Sequence, residues 1–235
     1  MGKVTREKFK VLNGVFDEHT LNTLEILKRK KYFDVLLKPI KTGKEGDVYL
    51  SEKDDKFRAI KIYRVTTANF KKITTYINRD FRFKTVRGNQ RKVIFVWVEK
   101  EFRNLLICHK ANMNVPFVYK QQNNVIIMEY LDGNMLKDTP LENPEFFFEE
   151  LLEQLYIMKN KAKLIHGDLS EYNILSVNQT PYIIDMGQSM TIKNEDDFNN
   201  LQDLYLRDIG NVVKYFNRIY DLNKNLGDVL KYLDK

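Results

Sequence analysis

Two short motifs stand close together late in the chain: His166-Gly167-Asp168-Leu169-Ser170-Glu171-Tyr172-Asn173, then Ile183-Ile184-Asp185-Met186-Gly187-Gln188. The space between them holds one short hairpin, which the apolar pieces Ile174–Val177 and Tyr182–Ile184 predict. A loop and a hairpin must therefore converge and bring two aspartates and an asparagine to one point. Taken singly, an aspartate is most often a cap or turn residue and a histidine most often structural. The ordered set is far more specific than its parts.

The chain of 235 residues is one domain or one two-lobed domain, and 43% hydrophobic with 30% charged residues supports a core. That balance excludes a disordered or collagen-like chain. Cys108 is the only cysteine, which excludes a disulfide scaffold and a cysteine metal site and suggests a reducing, cytoplasmic compartment. Apolar runs such as Val125–Met128 are too short to cross a bilayer, and Met1–Arg6 leads into charged residues, so no signal peptide is expected. Periodicity predicts one or two amphipathic helices over Thr20–Leu37, then strands Leu37–Thr42, Asp47–Ser51 and Phe57–Tyr63 as antiparallel hairpins. A helix over Val93–Lys110 has Ile94, Trp97, Val98, Leu105 and Cys108 as its stripe. Strands Phe117–Lys120 and Val125–Tyr130 follow, then helices over 144–161, 196–220 and Leu226–Leu233. The order is that of an α+β chain in two lobes.

Charge is uneven. The formal net charge is +7, and residues 66–92 hold eight basic side chains (Lys71, Lys72, Arg79, Arg82, Lys84, Arg87, Arg91, Lys92) against Asp80 alone. Phe70, Tyr76, Phe81 and Phe83 are interleaved with them, as on a nucleic-acid surface. A solvated loop with aromatic anchors is the competing reading.

Two further features point to chemistry. Lys41-x-Gly43-x-x-Gly46-x-Val48 lies between two strands and carries two glycines and the valine of a kinase phosphate loop; alone, it is better explained as a hairpin turn. In Ala59-Ile60-Lys61, alternation puts Ala59 and Lys61 on one face. A lysine on the inner side of a strand needs an anion, unless it snorkels to water at the rim. Glu101 sits in the apolar stripe of the 93–110 helix, four residues from Trp97 and from Leu105. A carboxylate there needs a cation, whereas Glu99 faces elsewhere. His166, Asp168, Leu169 and Asn173 match the kinase pattern H-R-D-L-x-x-x-N in register, and Asp185-Met186-Gly187 stands where D-F-G stands. Asp168 would then reach the attacking oxygen, with Asn173 and Asp185 sharing a magnesium that bridges phosphates.

The chain resembles the RIO family of atypical serine kinases and ATPases, closest to its type-one branch. The resemblance rests on Thr42–Tyr49, Ile60–Arg64, Trp97–Leu105, His166–Leu175 and Ile183–Ser189. It implies a trimmed two-lobed protein-kinase-like fold: an antiparallel sheet plus helix in the N-lobe, a helical C-lobe, and extra N-terminal helices. The implied domains are a helical extension over 1–37, an N-lobe over 38–131 with a basic flexible insertion at 66–92, and a C-lobe over 132–235. Residues 1–37 are too few for the winged-helix domain of the type-two branch.

The resemblance also implies Mg2+-ATP (or Mn2+-ATP) as cofactor. ATP would contact Gly43, Lys44, Glu45, Val48, Ala59, Lys61, Glu101, Met128, Glu129, Leu131 and Ile184. Lys61 and Glu101 would pair, Asp168 would be the catalytic acid or base, and Asn173 and Asp185 would hold the metal. Asp185 could also accept the γ-phosphate as an aspartyl phosphate. Implied partners are a pre-ribosomal small subunit and rRNA through the basic insertion, with the chain a monomer or weak dimer. Gly167 in place of the arginine of H-R-D removes a reader of activation-loop phosphate. A small-molecule kinase of the aminoglycoside or choline type, and a nucleotide-gated RNA-binding module, are the alternatives.

Overall fold

The structure is a computed structural model that describes residues 16–65, 70–83 and 89–235; the side chain of Lys72 is not described. The described elements, in chain order, are α1 (Glu18–Arg29), β1 (Val35–Thr42), β2 (Gly46–Lys53), β3 (Lys56–Tyr63), α2 (Phe70–Arg79), α3 (Gln90–Lys110), β4 (Val118–Gln122) and β5 (Val125–Glu129). They continue with β6 (Asn134–Met135), a 3-10 turn (Leu136–Asp138), α4 (Pro144–Asn160), β7 (Leu164–Ile165), β8 (Ile174–Val177), β9 (Thr180–Ile183), β10 (Met190–Thr191), α5 (Glu195–Tyr220) and α6 (Leu226–Leu233).

The chain forms two compact units. The first takes the described parts of Met1–Thr74, Val86–Glu99 and Val118–Tyr130; the second takes those of Thr75–Thr85, Lys100–Phe117 and Leu131–Lys235. This interleaving departs from the contiguous lobes 38–131 and 132–235 that the sequence suggested. The first unit ends at Tyr130, and Thr75–Thr85 and the C-terminal half of α3 group with the second unit.

In the first unit, one antiparallel sheet has the order β1-β2-β3-β5-β4. Asp54 and Asp55, both in the left-handed region at φ 48° and 58°, close the β2–β3 hairpin, since such a turn follows the twist of its strands. The helix α1 starts at Asp17, whose carboxylate accepts the Thr20 N–H at 2.8 Å. Its Leu24 and Leu27 join Phe33, Leu36, Tyr49, Ile60, Ile62, Val125 and Ile127 in one core. Residues 16–37 are therefore part of this unit rather than a separate helical extension. Only one helix forms there among the described residues, because β1 already begins at Val35.

The second unit has a three-stranded sheet, β6-β8-β9, and a two-stranded one, β10-β7. Asn178 and Gln179, at φ 49° and 64°, make the β8–β9 turn. Asn143 caps α4, with Pro144 in its first turn, and Asn194 caps α5, whose first turn is acidic. Phe148 meets Phe216 edge-on at 5.0 Å in the core between these helices.

The basic segment is not uniformly irregular. Phe70–Arg79 is helical, with Ile73 and Ile77 buried at 3% and 0% exposure. Residues 66–69 and 84–88 of this segment, Lys84 and Arg87 among them, lie outside the described ones.

Candidate active site

In the first unit, four of the expected nucleotide-binding residues share one face of the sheet. Register places Val48 and Ile126 beside Lys61, and Leu50 and Met128 beside Ala59. Strand alternation thus puts Val48, Ala59, Lys61 and Met128 on the face opposite the α1 core. Lys61 is half-buried, and its Nζ lies 5.0 Å from the centre of the Tyr63 ring.

The glycine hairpin is built for packing as well as for access. A Cβ on Gly46 would come 2.5 Å from the Ile62 carbonyl oxygen, so only glycine lets β2 approach β3 there. Next to it, buried Asp47 is held in a fork by Arg64 at 2.9 and 2.8 Å, and the Arg64 N–H donates to the Glu45 carbonyl at 3.0 Å. Sequence reading missed this clamp. Gly43, Lys44 and Glu45 remain exposed at the tip, and Glu129 ends β5 half-buried, in register with Arg58.

The second unit gathers Asp168, Asn173, Ile184 and Asp185. His166 is fully buried. Its Nε2 lies 3.0 Å from the Ile184 carbonyl, and since a carbonyl only accepts, Nε2 carries the proton. Nδ1 then accepts the Asp168 N–H at 3.3 Å. One imidazole thereby ties the catalytic-loop candidate to the hairpin strand that delivers Asp185. The Ile184 N–H also donates to the Asn173 carbonyl at 3.0 Å, and Asn173 Nδ2 donates to the Asp168 carbonyl at 2.8 Å. With its amide N–H so committed, Asn173 has Oδ1 to offer a cation. Asp185 is exposed and left-handed at φ 64°, a conformation costly for most residues but tolerated by aspartate.

One carboxylate and one amide oxygen are hard donors that suit Mg2+, which takes few protein ligands and fills its shell with phosphates and water. The described residues hold no group of three histidine, cysteine or acidic side chains able to form a cage, so a cation here would need such outside oxygens.

Two buried polar groups that the sequence reading passed over hold this cluster. Asp208 on α5 accepts the Gly167 N–H at 2.6 Å and the Leu169 N–H at 3.1 Å. Burial pushes its carboxyl above the ordinary value, against the pull of His166 and those N–H groups. Asn211, on the same helix, donates to the Leu169 carbonyl at 3.0 Å.

Lys100 on α3 is fully buried; it donates to the Gly187 carbonyl at 2.8 Å and to the Ser189 carbonyl. Asn104, one turn on, donates to the Met186 carbonyl at 2.8 Å. Three carbonyls of the turn after Asp185 are thus gripped from one helix face. Burial lowers the Lys100 ammonium to about 7, with Asp80 at 4.0 Å opposing the shift. Asp80 is itself fully buried and paired with Arg82 at 2.5 Å, and Arg82 also donates to Asn104 Oδ1 at 2.6 Å. Arg82 is therefore a structural cation, not one of the insertion's solvent-facing charges. Glu101 is 1% exposed, as its place in the stripe predicted. Glu99 is half-buried. Glu101 and Leu131 belong to the second unit and Lys61 to the first.

Comparison with known proteins agrees with this geometry. The RIO domain family matches residues 47–226. The chain is 34% identical over 232 residues to the RIO-type serine/threonine-protein kinase Rio1 of Methanocaldococcus jannaschii, covering 97% of this chain and 78% of that one. It is 33% identical to Rio1 of Haloferax volcanii, covering 90% and 73%. Among solved structures, the Rio2 kinase–ADP/Mg2+–phosphoaspartate complex of Chaetomium thermophilum superposes with a TM-score of 0.71 at 20% identity. That match covers 90% of this chain and 65% of the other; at that identity it shows a common kinase-like α+β fold. The sheet unit, the helical unit and the two motifs that meet at Ile184 are those of one lineage: the chain belongs to the RIO family of serine/threonine-protein kinases, on its type-one branch.

Proposed function

We propose that this kinase binds Mg2+-ATP and passes its γ-phosphoryl group to serine, to Asp185 or to water. The carrying observation is the set of short bonds through His166, Ile184 and Asn173 that ties the Asp168 loop to the Asp185 strand. In this reading Lys61 neutralises the α- and β-phosphates with Glu101 as its carboxylate partner. Gly43, Lys44, Glu45 and Val48 cover the phosphates. Ala59, Met128, Glu129, Leu131 and Ile184 contact the nucleoside. Asn173 and Asp185 hold Mg2+, which would shield the charge of the phosphate oxygens. Asp168 takes the proton of the attacking hydroxyl as the bond to the bridging oxygen breaks and ADP leaves. Where Asp185 attacks instead, its ionised oxygen needs no base. The phosphoaspartate named in the Chaetomium Rio2 structure supports that branch.

Single-turnover incubation with γ-labelled ATP tests the reading. Label released by hydroxylamine marks an aspartyl phosphate, acid-stable label marks serine, and free phosphate marks hydrolysis. Asp168→Ala or Asp185→Ala protein that turned over ATP as fast as the parent would refute it.

We further infer a cytoplasmic role in small-subunit maturation, with the basic segment 66–92 against rRNA. The exposure of Lys71 and Arg79 supports this, whereas Arg82 is paired with buried Asp80. Neutralising both should reduce the salt slope of RNA binding by about one unit for each lost phosphate contact; an unchanged slope removes the segment from the interface.

A further inference from the structure

Met186, Gly187 and Ser189, in the turn after Asp185, are all buried. Their carbonyls are met by two fully buried side chains of α3. Lys100 donates to Gly187 at 2.8 Å and to Ser189. Asn104 Nδ2 donates to Met186 at 2.8 Å and to Ser189 at 3.2 Å. The two side chains are four residues apart, and so stand on one face of the helix. A buried cation is costly unless it is closely paired. Lys100 nevertheless lies 4.0 Å from Asp80, a carboxylate that Arg82 holds at 2.5 Å, and gives two of its hydrogen bonds to neutral carbonyls.

The orientation of Asn104 is fixed as well. Arg82 carries only donors, so it can be met only by the amide oxygen, Oδ1, which it reaches at 2.6 Å. Nδ2 is thereby left for the carbonyls of the turn, which only accept. The residue beside these bonds is in a costly conformation: Asp185 is left-handed at φ 64°, and such a residue persists where its surroundings over-determine it. On its N-terminal side the Ile184 N–H is bound to the Asn173 carbonyl at 3.0 Å. On its C-terminal side the backbone is held by α3.

We propose that Lys100 and Asn104 are positioning residues for phosphoryl transfer: by fixing the turn from one face of α3, they hold Asp185 in the conformation that presents its carboxylate to a nucleotide-bound Mg2+. The proposal rests on the metal-ligand role read for Asp185 above. Both side chains act through the backbone of the turn. Groups that orient a metal ligand in this way commonly contribute about ten- to a hundredfold to metal affinity or activity. Arg82 acts one step further out, because it selects which end of the Asn104 amide faces the turn.

The test uses the full chain in four forms: parent, Asn104→Asp, Asp185→Asn and Phe148→Leu. Asn104→Asp keeps an oxygen for Arg82 and sets a second one against the Met186 carbonyl, acceptor against acceptor. Phe148→Leu loosens the contact with Phe216 between α4 and α5 and controls for lost stability. Affinity for the ATP analogue AMP-PNP is measured by calorimetry in EDTA and in Mg2+, and the ratio of the two dissociation constants gives the gain due to the metal. For Asn104→Asp the affinity in EDTA should stay within about twofold of the parent, most of the gain from Mg2+ should be lost, and kcat for ATP turnover should fall about tenfold or more. Phe148→Leu should keep the gain. A gain kept by Asn104→Asp but lost in Asp185→Asn would overturn the positioning role and leave the metal reading standing. Equal losses in Asn104→Asp and Phe148→Leu would overturn it as an effect of stability alone. If Asp185→Asn keeps the gain, the metal reading fails and the proposal with it. Should Asn104→Asp not fold, Lys100→Met carries the same expected changes.

Discussion

Asp208 Oδ2 lies 2.6 Å from the backbone nitrogen of Gly167. The carboxylate is on α5 and the N–H on the loop that carries Asp168, and a second N–H from that loop, of Leu169, reaches Oδ1. A helix thereby sets the path of a loop whose own residues are mostly small or polar.

Asp208→Ala should orphan both buried N–H groups. At about 1–3 kcal/mol for each unsatisfied group, a loss of about 2–6 kcal/mol in unfolding free energy is expected, read from the urea midpoint. kcat for ATP turnover should fall more than KM changes, because Asp168 loses its support while Val48, Ala59, Lys61 and Met128 on the other unit's sheet are unaltered.

Lys100 links stability to pH. Burial depresses its folded-state value to about 7 from an ordinary 10.5. Between those values the unfolded chain binds more protons than the folded one, so this group makes stability rise with pH across the window. Below pH 7 the cost of the buried charge is fully present. Urea midpoints of Lys100→Met protein at pH 7, 8 and 9 should rise less steeply than those of the parent; parallel curves would show that the buried ammonium does not titrate there.

Removal of Arg82 should differ from removal of the other cations in its segment. Asp80 is fully buried, and breaking a buried pair by deleting one partner costs about 3–5 kcal/mol. Arg82→Ala should show a loss of that order in thermal or urea unfolding. Exposed Lys71→Ala should change stability by less than about 0.5 kcal/mol.

Cys108 is fully buried on α3, and burial pushes its thiol up to about 12. The thiolate is the reactive form, so iodoacetamide at pH 8 should leave the native protein unlabelled and modify one site per chain after unfolding. Rapid labelling of native protein would show that α3 opens.

Much of this was legible in the sequence because it rests on local pattern. The strands around Lys61 alternate, the stripe of α3 is periodic, and the spacing from His166 to Asp185 fits one hairpin. The strands β6, β7 and β10 have two residues each, too few for any period. Asp208 could have been found by the reasoning that singled out Glu101: Leu201, Tyr205, Val212 and Phe216 are buried on one side of α5, and Asp208 falls on that side. Lys100 lies between two glutamates that drew attention as candidate partners, which hid its own burial. The Asp80–Arg82 pair was masked by the charge of its surroundings; only tertiary structure separates a buried cation from its exposed neighbours. The helix Phe70–Arg79 is hidden in the sequence for the same reason, since its charges outnumber the apolar residues that mark its buried side.

The grip of Lys100 on the turn after Asp185 spans 87 and 89 positions of sequence. Contacts so distant along the chain form only after the intervening segments have collapsed and the entropy of closing that loop has been met. The turn that presents Asp185 therefore owes its grip to contacts that carry a larger loop-closure cost than any local one. The His166–Asn173 motif is local in sequence, but the shape of the turn that presents Asp185 depends on a helix far upstream, so a change in α3 can reach that turn without touching either motif.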